Sequence, residues 1–213
     1  MGHREDLLAG AVRCLRQKGY ARTTARDIVA ASGTNLASIG YHYGSTQALL
    51  NAAVFQAMED FGAEIQQVMR ADADPPDAPL ERFELFWAHV IDSFRTNPGV
   101  WLATFDVFGV AQRDAQIRAA VAQGLEDGRS LWARALYGLD ADGDDHGVAR
   151  AVGSLHQALL SGALVQWLID PDRAPSAADL AAAFQAIAQQ LCADQRAEAG
   201  RSLPARQTEA PQP

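Results

Sequence analysis

Apolar residues recur every three or four positions along nearly the whole chain, which is the spacing of one face of an α-helix. No stretch alternates between apolar and polar residues as a half-buried strand does. Gly, Pro, Asn and Asp residues interrupt the pattern and divide it into about nine segments. The sequence therefore predicts an all-α fold of about nine helices.

The first 48 residues divide into three short helices. The first ends at Gly19. The second begins at a capping box, Thr24 with Asp27, and ends at Gly33, and the third follows at once. Two short helices joined by a tight glycine turn are the sequence form of a helix-turn-helix. The small and apolar residues that would hold the second and third helices in place are Ile28, Val29, Ala31, Ile39 and Tyr43.

The rest of the chain predicts a larger helical unit over residues 49–199, followed by a tail at 200–213. The tail is rich in Pro, Gln and Arg, a composition that predicts disorder. Residues 72–79 break the helical pattern and predict an exposed connection between the fourth and fifth helices. A second capping box, Ser176 with Asp179, opens the ninth helix.

Charge is unevenly distributed between these parts. The whole chain carries a net charge of −8. Residues 1–48 hold six basic and three acidic side chains, a net +3, whereas residues 49–213 hold 12 basic and 23 acidic ones, a net −11. A basic head on an acidic body would suit a head that faces phosphate groups. A charge of +3 over 48 residues is also compatible with chance.

Two stretches, residues 23–28 and 33–45, resemble the TetR family of transcriptional repressors. The shared pattern is a glycine at the turn and, near the end of the third helix, the run Tyr41, His42 and Tyr43. The chain length, the number of helices and the acidic body are also similar to that family. The resemblance implies a DNA-binding head, a homodimer and a small-molecule pocket in the body.

Carried over residue by residue, the resemblance assigns the outer face of the third helix and the starts of the second and fourth helices to DNA. The residues so assigned are Thr24, Arg26, Asn35, Leu36, Ala37, Ser38, Tyr41, His42 and Thr46. Two positions depart from the family pattern. Gly40 replaces a commoner tyrosine, and Thr46 replaces a lysine that usually meets a phosphate. The absence of that one charge would lower the salt dependence of binding by about one unit of slope.

Few side chains of the recognition helix are the Arg or Asn residues that read bases most often. Specificity is therefore expected to rest partly on apolar contacts and on DNA shape.

The body is rich in aromatic residues, most of which would be ordinary core taken singly. The resemblance implies that some line an effector pocket, and the candidates are Trp87, His89, Trp101, Phe105, Phe108, His156 and Gln157. Residues 151–169 carry no formal charge and have the length of a membrane span, but their polar and small residues favour a buried helix at a subunit interface. The candidates for the dimer interface, formed by the eighth and ninth helices, are Ser154, Ser161, Gly162, Phe184, Ile187 and Leu191.

Nothing in the sequence predicts catalysis, a metal or a cofactor. The acidic loop that begins at Asp140 resembles a calcium loop, but Asp145 replaces its turn glycine and Ala151 its bidentate glutamate. No hydrolase, phosphate-binding or dinucleotide-binding motif is present. Cys14 and Cys192 are expected to be buried thiols. The charged first residues show no cleavable leader, which predicts a cytoplasmic protein.

Together these observations predict a homodimeric transcriptional regulator without enzymatic activity. It would bind a palindromic operator in double-stranded DNA as a repressor and be released by a small hydrophobic or amphipathic effector. Two alternatives stay open. One is a regulator that requires its ligand, as a co-repressor or for activation. The other is a helical ligand-binding protein whose head has lost its affinity for DNA, which Gly40 and Thr46 make conceivable.

Overall fold

The computed structural model describes residues 3–71, 78–140 and 143–201. Within them the chain forms nine α-helices and no strand, which confirms the predicted all-α fold. The helices are α1 His3–Lys18, α2 Ala25–Ser32, α3 Leu36–Tyr43, α4 Thr46–Ala71, α5 Pro79–Thr96, α6 Pro98–Ala111, α7 Ala115–Tyr137, α8 His146–Ile169 and α9 Ala177–Arg201. The predicted tail from residue 202 onward, and most of the connection predicted at 72–79, lie outside the described residues.

Local capping sets the ends of the short N-terminal helices. Thr24 and Asp27 form both hydrogen bonds of the predicted capping box at the start of α2. Gly33 follows α2 with a φ of 69°, in the left-handed region that favours glycine. Asn35 caps α3, and that helix continues to Tyr43.

The head is built around one hydrophobic cluster that reaches into the body. Leu7 and Leu15 of α1 and Ile28 of α2 have no exposed surface, and Ile39 of α3 is also buried. The first half of α4 joins the same cluster, as does one face of α6 that includes Val107. Helices α4 and α6 therefore connect the head to the body through continuous apolar packing.

A second cluster lies between the end of α4 and helices α5, α7, α8 and α9. Helix α8 packs mainly against α7, and α9 packs mainly against α5. Gly153 permits the α7–α8 approach, because a Cβ at this position would lie 2.3 Å from the carbonyl oxygen of Arg129. The predicted box of Ser176 and Asp179 is present at the start of α9.

Two sequence-based expectations about the body need qualification. Cys14 is buried as expected, but Cys192 is exposed on α9, so the prediction of two buried thiols was wrong for Cys192. Helical periodicity could not exclude this, because it does not show which face of a helix a neighbouring helix covers. Helix α8 is long and apolar enough to cross a membrane by length and composition, a test that the core helix of a globular protein also passes.

Candidate nucleic-acid interface and effector region

Helix α3 presents an open outer face and a buried inner one. Tyr41 and Leu36 on the outer face are 86% and 53% exposed, and Ala37 and Gly40 are exposed beside them. On the inner face Ile39 is only 3% exposed and packs into the head cluster. The helix is therefore anchored on one side, while its outer side is free to meet another surface.

Two of the predicted DNA-contacting residues hold the start of α3 together. The side-chain oxygen of Asn35 accepts hydrogen bonds from the backbone N–H of Ser38, at 3.0 Å, and from the Ser38 hydroxyl, at 3.2 Å. This oxygen is engaged in the cap, whereas the amide nitrogen of Asn35 remains available as a donor. Ser38 is half-buried and contributes mainly to the cap.

The start of α2 combines a satisfied cap with an unpaired cation. The Thr24 hydroxyl donates to the Asp27 carboxylate at 2.7 Å and accepts from the Asp27 backbone N–H at 3.3 Å. Hydrogen bonds from Lys18 and then from Thr24 hold the pKa of Asp27 well below its usual value. Arg26 is exposed and makes no ion pair with any described residue. Asp27 therefore offsets the charge of Lys18, whereas no described residue offsets the charge of Arg26.

The end of α3 is fixed to the start of α1 through Tyr43. Its hydroxyl donates to the backbone oxygen of Arg4 at 2.9 Å, and the Arg4 guanidinium lies 5.6 Å from the centre of the Tyr43 ring. Burial raises the pKa of Tyr43. His42 is half-buried and meets the Tyr41 ring edge-on at 4.8 Å. Tyr43 is thus a packing residue, as predicted, and Tyr41 stands outside that packing.

The connection from α3 to α4 carries the last predicted DNA contact. Ser45 caps α4 by accepting the Ala48 backbone N–H at 3.0 Å. Thr46 is the first residue of α4 and is half-buried. The other N–H groups in the first turn of a helix have no partner within the helix, and such a turn suits an anion.

A polar cluster that sequence reasoning missed joins Tyr20, in the turn after α1, to the start of α4. The Tyr20 hydroxyl donates to the side-chain oxygen of Asn51, and the Gln47 amide donates to both Tyr20 and Asn51. Burial and then the charge of Asp106 on α6 raise the pKa of Tyr20 to about 12. No sequence signal could have found the cluster, because Tyr20 and Asn51 are 31 positions apart and each is an unremarkable residue in its own segment.

Three of the seven effector candidates, Trp87, His156 and Gln157, meet around the buried side chain of Trp132. His156 has no exposed surface, and its Nε2 lies 2.9 Å from the Tyr137 hydroxyl. Trp132 donates from its ring nitrogen to the side-chain oxygen of Gln157 at 3.2 Å and stacks on Trp87 at 6.0 Å. Burial lowers the pKa of His156 to about 4, so the imidazole is neutral near pH 7.

Two buried nitrogens of this aromatic cluster have no hydrogen-bond partner among the described residues. They are Nε1 of Trp87 and Nδ1 of His156, and the two rings lie 6.1 Å apart. An unpaired buried polar group costs roughly 1–3 kcal/mol, so both atoms would gain from a hydrogen bond to a ligand or water.

The other four effector candidates make no ring contact or hydrogen bond with Trp132 among the described residues. His89 is half-buried, and its Nδ1 lies 2.9 Å from the Leu85 backbone oxygen on its own helix. Phe105 and Phe108 are each 39% exposed on the surface of α6. Trp101 is buried in the second hydrophobic cluster, where its ring packs against Phe61 and Phe94 and its ring nitrogen donates to the Ser93 hydroxyl at 3.2 Å. The seven candidates therefore do not form a single pocket in this structure.

The candidates for the dimer interface are mostly exposed. Ile187 and Leu191 of α9 are 57% and 60% exposed, and Ser161 and Gly162 of α8 are exposed as well. Ser154 is half-buried. Phe184 differs from the others because it packs inside its own chain. The centre of its ring lies 4.9 Å from that of Phe83 and 6.1 Å from that of His156. The described part of the chain holds no group of three or more His, Cys, Asp or Glu residues placed to bind a metal.

A three-helix head with an exposed third helix, joined by α4 to a larger helical body, is the architecture of a helix-turn-helix transcriptional regulator. Residues 7–53 match the profile of bacterial regulatory proteins of the tetR family, and residues 78–190 match the profile of the tetracyclin repressor-like C-terminal domain. The chain belongs to the TetR family of transcriptional regulators. No protein of curated function matches its sequence.

Solved structures share the whole architecture at low identity. A transcriptional regulator from Pseudomonas aeruginosa PAO1 has a TM-score of 0.60 and 18% identity, covering 88% of this chain and 89% of its own. A TetR transcription regulator from Haloarcula marismortui has a TM-score of 0.59 and 22% identity, covering 88% and 95%. The multidrug binding protein EbrR, complexed with proflavin, has a TM-score of 0.56 and 21% identity, covering 81% and 92%. These similarities show a common fold.

Proposed function

We propose that this protein is a cytoplasmic repressor that binds a palindromic operator as a homodimer and leaves it when a small hydrophobic or amphipathic molecule binds. Its head would be residues 1–48 and its effector-binding and dimerisation unit residues 49–199. The observation that carries the proposal is the open outer face of α3, where Tyr41 is 86% exposed although the inner face of the same helix is buried. A large aromatic side chain so exposed on a rigid helix is well placed to contact base edges in a major groove.

The surrounding residues supply the contacts to the DNA backbone. Arg26, exposed and without an ion pair among the described residues, would bind a phosphate at the start of α2. The first turn of α4, which begins at Thr46, would offer backbone N–H groups to a second phosphate. Leu36 and Ala37 would make apolar contacts such as those with a thymine methyl group. Asn35, Ser38, Thr24 and His42 would complete the surface, the first three mainly by fixing the helix starts.

Dimerisation would bring two copies of α3 to successive major grooves. The apolar residues Ile187 and Leu191 of α9 are exposed, as are the small residues Ser161 and Gly162 of α8. Covering these residues with a second copy would remove apolar area from water. A two-fold dimer must then hold its recognition helices about 34–36 Å apart to match one turn of DNA.

An effector would act by favouring an arrangement of the body in which the distance between the two heads no longer matches one turn of DNA. The aromatic cluster around His156 supports a small-molecule site, because it holds two buried nitrogens without a partner among the described residues. The fold neighbour EbrR is complexed with proflavin, which supports the same class of ligand. Coupling between two such sites is typically about 1–3 kcal/mol.

The test is a gel-shift titration of full-length protein against the DNA that flanks its own coding region, at several salt concentrations. Replacement of Tyr41 by Ala should weaken specific binding by about 1–3 kcal/mol per half-site. Tyr41→Phe removes only the hydroxyl, so it shows how much of this loss comes from the hydroxyl and how much from the ring. Replacement of Arg26 by Ala should reduce the slope of log K against log salt by about 0.9 for each phosphate that Arg26 neutralises. Arg173→Ala removes the same charge from the α8–α9 loop and should leave that slope unchanged.

Three results would revise the proposal. Saturable, sequence-dependent binding that is insensitive to Tyr41→Ala would mean that another surface reads the operator. Tighter DNA binding in the presence of ligand would make the protein a ligand-requiring regulator. Ligand binding without any DNA affinity would indicate a helical binding protein whose head has lost its function, as Gly40 and Thr46 allow.

A further inference from the structure

Gly40 lies on the exposed side of α3, at a position where nothing inside the protein requires glycine. Gly33 and Gly44, on either side of α3, have φ values of 69° and 76°, whereas Gly40 has no positive φ. A Cβ on Gly40 would have no neighbour within 4 Å. Neither a turn nor close internal packing therefore excludes a side chain at this position.

A glycine at such a position destabilises the helix that contains it. Glycine loses more backbone freedom on folding than any other residue, so alanine is favoured over it inside a helix. Helix α3 has only eight residues, and short helices are marginally stable. Local stability therefore favours a side chain at position 40. The remaining physical use of glycine there is to let another molecule approach the helix backbone closely.

The missing side chain leaves two apolar neighbours uncovered. Side chains of a helix lean toward its N-terminus and cover the turn before their own Cα. A side chain at position 40 would therefore lie over Leu36 and Ala37, which are four and three positions earlier. Leu36 is 53% exposed, and Ala37 is exposed beside it. These two side chains and the Gly40 backbone bound a shallow recess, which we call the Gly40 recess.

The Gly40 recess offers an apolar surface without a hydrogen-bonding side chain of its own. The polar side chains at the start of α3, Asn35 and Ser38, are bonded to each other. Among the groups that bases present in the major groove, the 5-methyl group of thymine is the apolar one. The side chain that alanine would add at position 40 is likewise one methyl group. The recess therefore matches the thymine methyl group in size as well as in polarity.

We propose that Gly40 determines operator specificity, because the Gly40 recess receives the 5-methyl group of one thymine in each half-site. The inference deepens the proposed function and rests on it, since it names a base feature that the outer face of α3 reads. Gly40, which replaces the family's commoner tyrosine, then has a role in reading the sequence of the operator.

The experiment removes the thymine methyl groups from the DNA and adds a methyl group to the protein. A short duplex from the flanking DNA that wild-type protein retards in the gel shift is synthesised with thymine, and again with uracil in place of every thymine. Uracil pairs as thymine does and lacks only the 5-methyl group. Dissociation constants for both duplexes are measured by fluorescence anisotropy at one salt concentration, for the full-length wild type and for Gly40→Ala. Gly109→Ala is the matched control, because Gly109 is also exposed inside a helix, α6, and a Cβ there has no neighbour within 4 Å.

Wild-type protein should bind the thymine duplex more tightly by about fourfold per half-site, because burial of one methyl-sized group is worth roughly 0.8 kcal/mol. Gly40→Ala should bring this ratio to about one or below, since the added methyl group occupies the recess and only the uracil duplex leaves room for it. Gly109→Ala should keep the wild-type ratio. Equal affinity of the wild type for the two duplexes, or a wild-type ratio in Gly40→Ala, would overturn the inference.

Two further measurements separate this role from a structural one. Leu36→Ala removes one wall of the recess and should also lower the ratio, and an unchanged ratio would contradict the inference. Urea unfolding of Gly40→Ala should show a midpoint raised by roughly 0.2–0.5 M, because helix propensity improves without a clash. A lowered midpoint would mean that the fold itself requires glycine here, against the inference. If wild-type protein retards none of the flanking DNA, the proposed function and this inference both fail, whereas binding without discrimination removes this inference alone.

Discussion

One added methyl group at Gly153 is expected to push α7 and α8 apart, because the two helices leave no room for it. A Cβ there would lie 2.3 Å from the backbone oxygen of Arg129, and 2.7 and 2.8 Å from its carbonyl carbon and Cα. Real Cβ contacts stay beyond 3.0 Å, so the helices must separate by at least about 0.7 Å. The obstructing atoms are backbone, which cannot rotate away as a side chain can.

The expected loss follows from two opposing effects. Overpacking of this kind costs about 1–3 kcal/mol. Replacement of glycine by alanine inside a helix recovers about 0.8–1 kcal/mol through helix propensity. The Gly153→Ala variant should therefore lose up to about 2 kcal/mol of unfolding free energy, which corresponds to a fall of up to roughly 8 °C in Tm for a chain of this size.

Gly124 on α7 provides the matched control, since a Cβ there has no neighbour within 4 Å. Gly124→Ala keeps the propensity gain without the clash and should stabilise the protein by up to about 1 kcal/mol. Urea unfolding followed by circular dichroism, at one fixed protein concentration, measures both variants. If Gly153→Ala proves as stable as Gly124→Ala, the close approach of α7 and α8 is wrong.

Three further results are expected. The unfolding free energy should fall as pH drops from about 6.5 to about 4, by at most about 3 kcal/mol from His156, because the unfolded imidazole takes a proton that the buried one resists. Urea titrations of His156→Phe across the same range should show a flatter profile, and an equally steep one would assign the effect to other groups. Thr24→Ala should lower the unfolding free energy by about 1 kcal/mol through loss of the α2 cap, measured against Ser176→Ala at the equivalent position of α9; no loss in either variant would contradict the capping argument. Ile187→Asp should shift the protein from dimer to monomer in sedimentation velocity while its helical content is kept, and an unaltered dimer would place the interface elsewhere.

The sequence predicted those parts of the protein that depend on residues a few positions apart. The order of the helices follows from apolar spacing, and the capping boxes at Thr24 and Ser176 follow from partners three residues away. The turn at Gly33 follows from a backbone conformation that glycine adopts without strain. The resemblance of about the first 50 residues to one family was also sufficient to name the class of protein, because the motif is continuous in the chain.

Tertiary structure decided which apolar faces are covered and which residues meet across the fold. Helical periodicity shows that a face is apolar but not which helix covers it, so Phe105 and Phe108 could be expected in a pocket although they lie exposed on α6. The clustering of Trp87 with His156 depends on how α5, α7 and α8 pack, and the close contact of Gly99 with the Leu15 backbone depends on how α6 packs against α1. Such contacts join residues tens of positions apart, and their free energies are settled by the packing of whole helices rather than by local sequence.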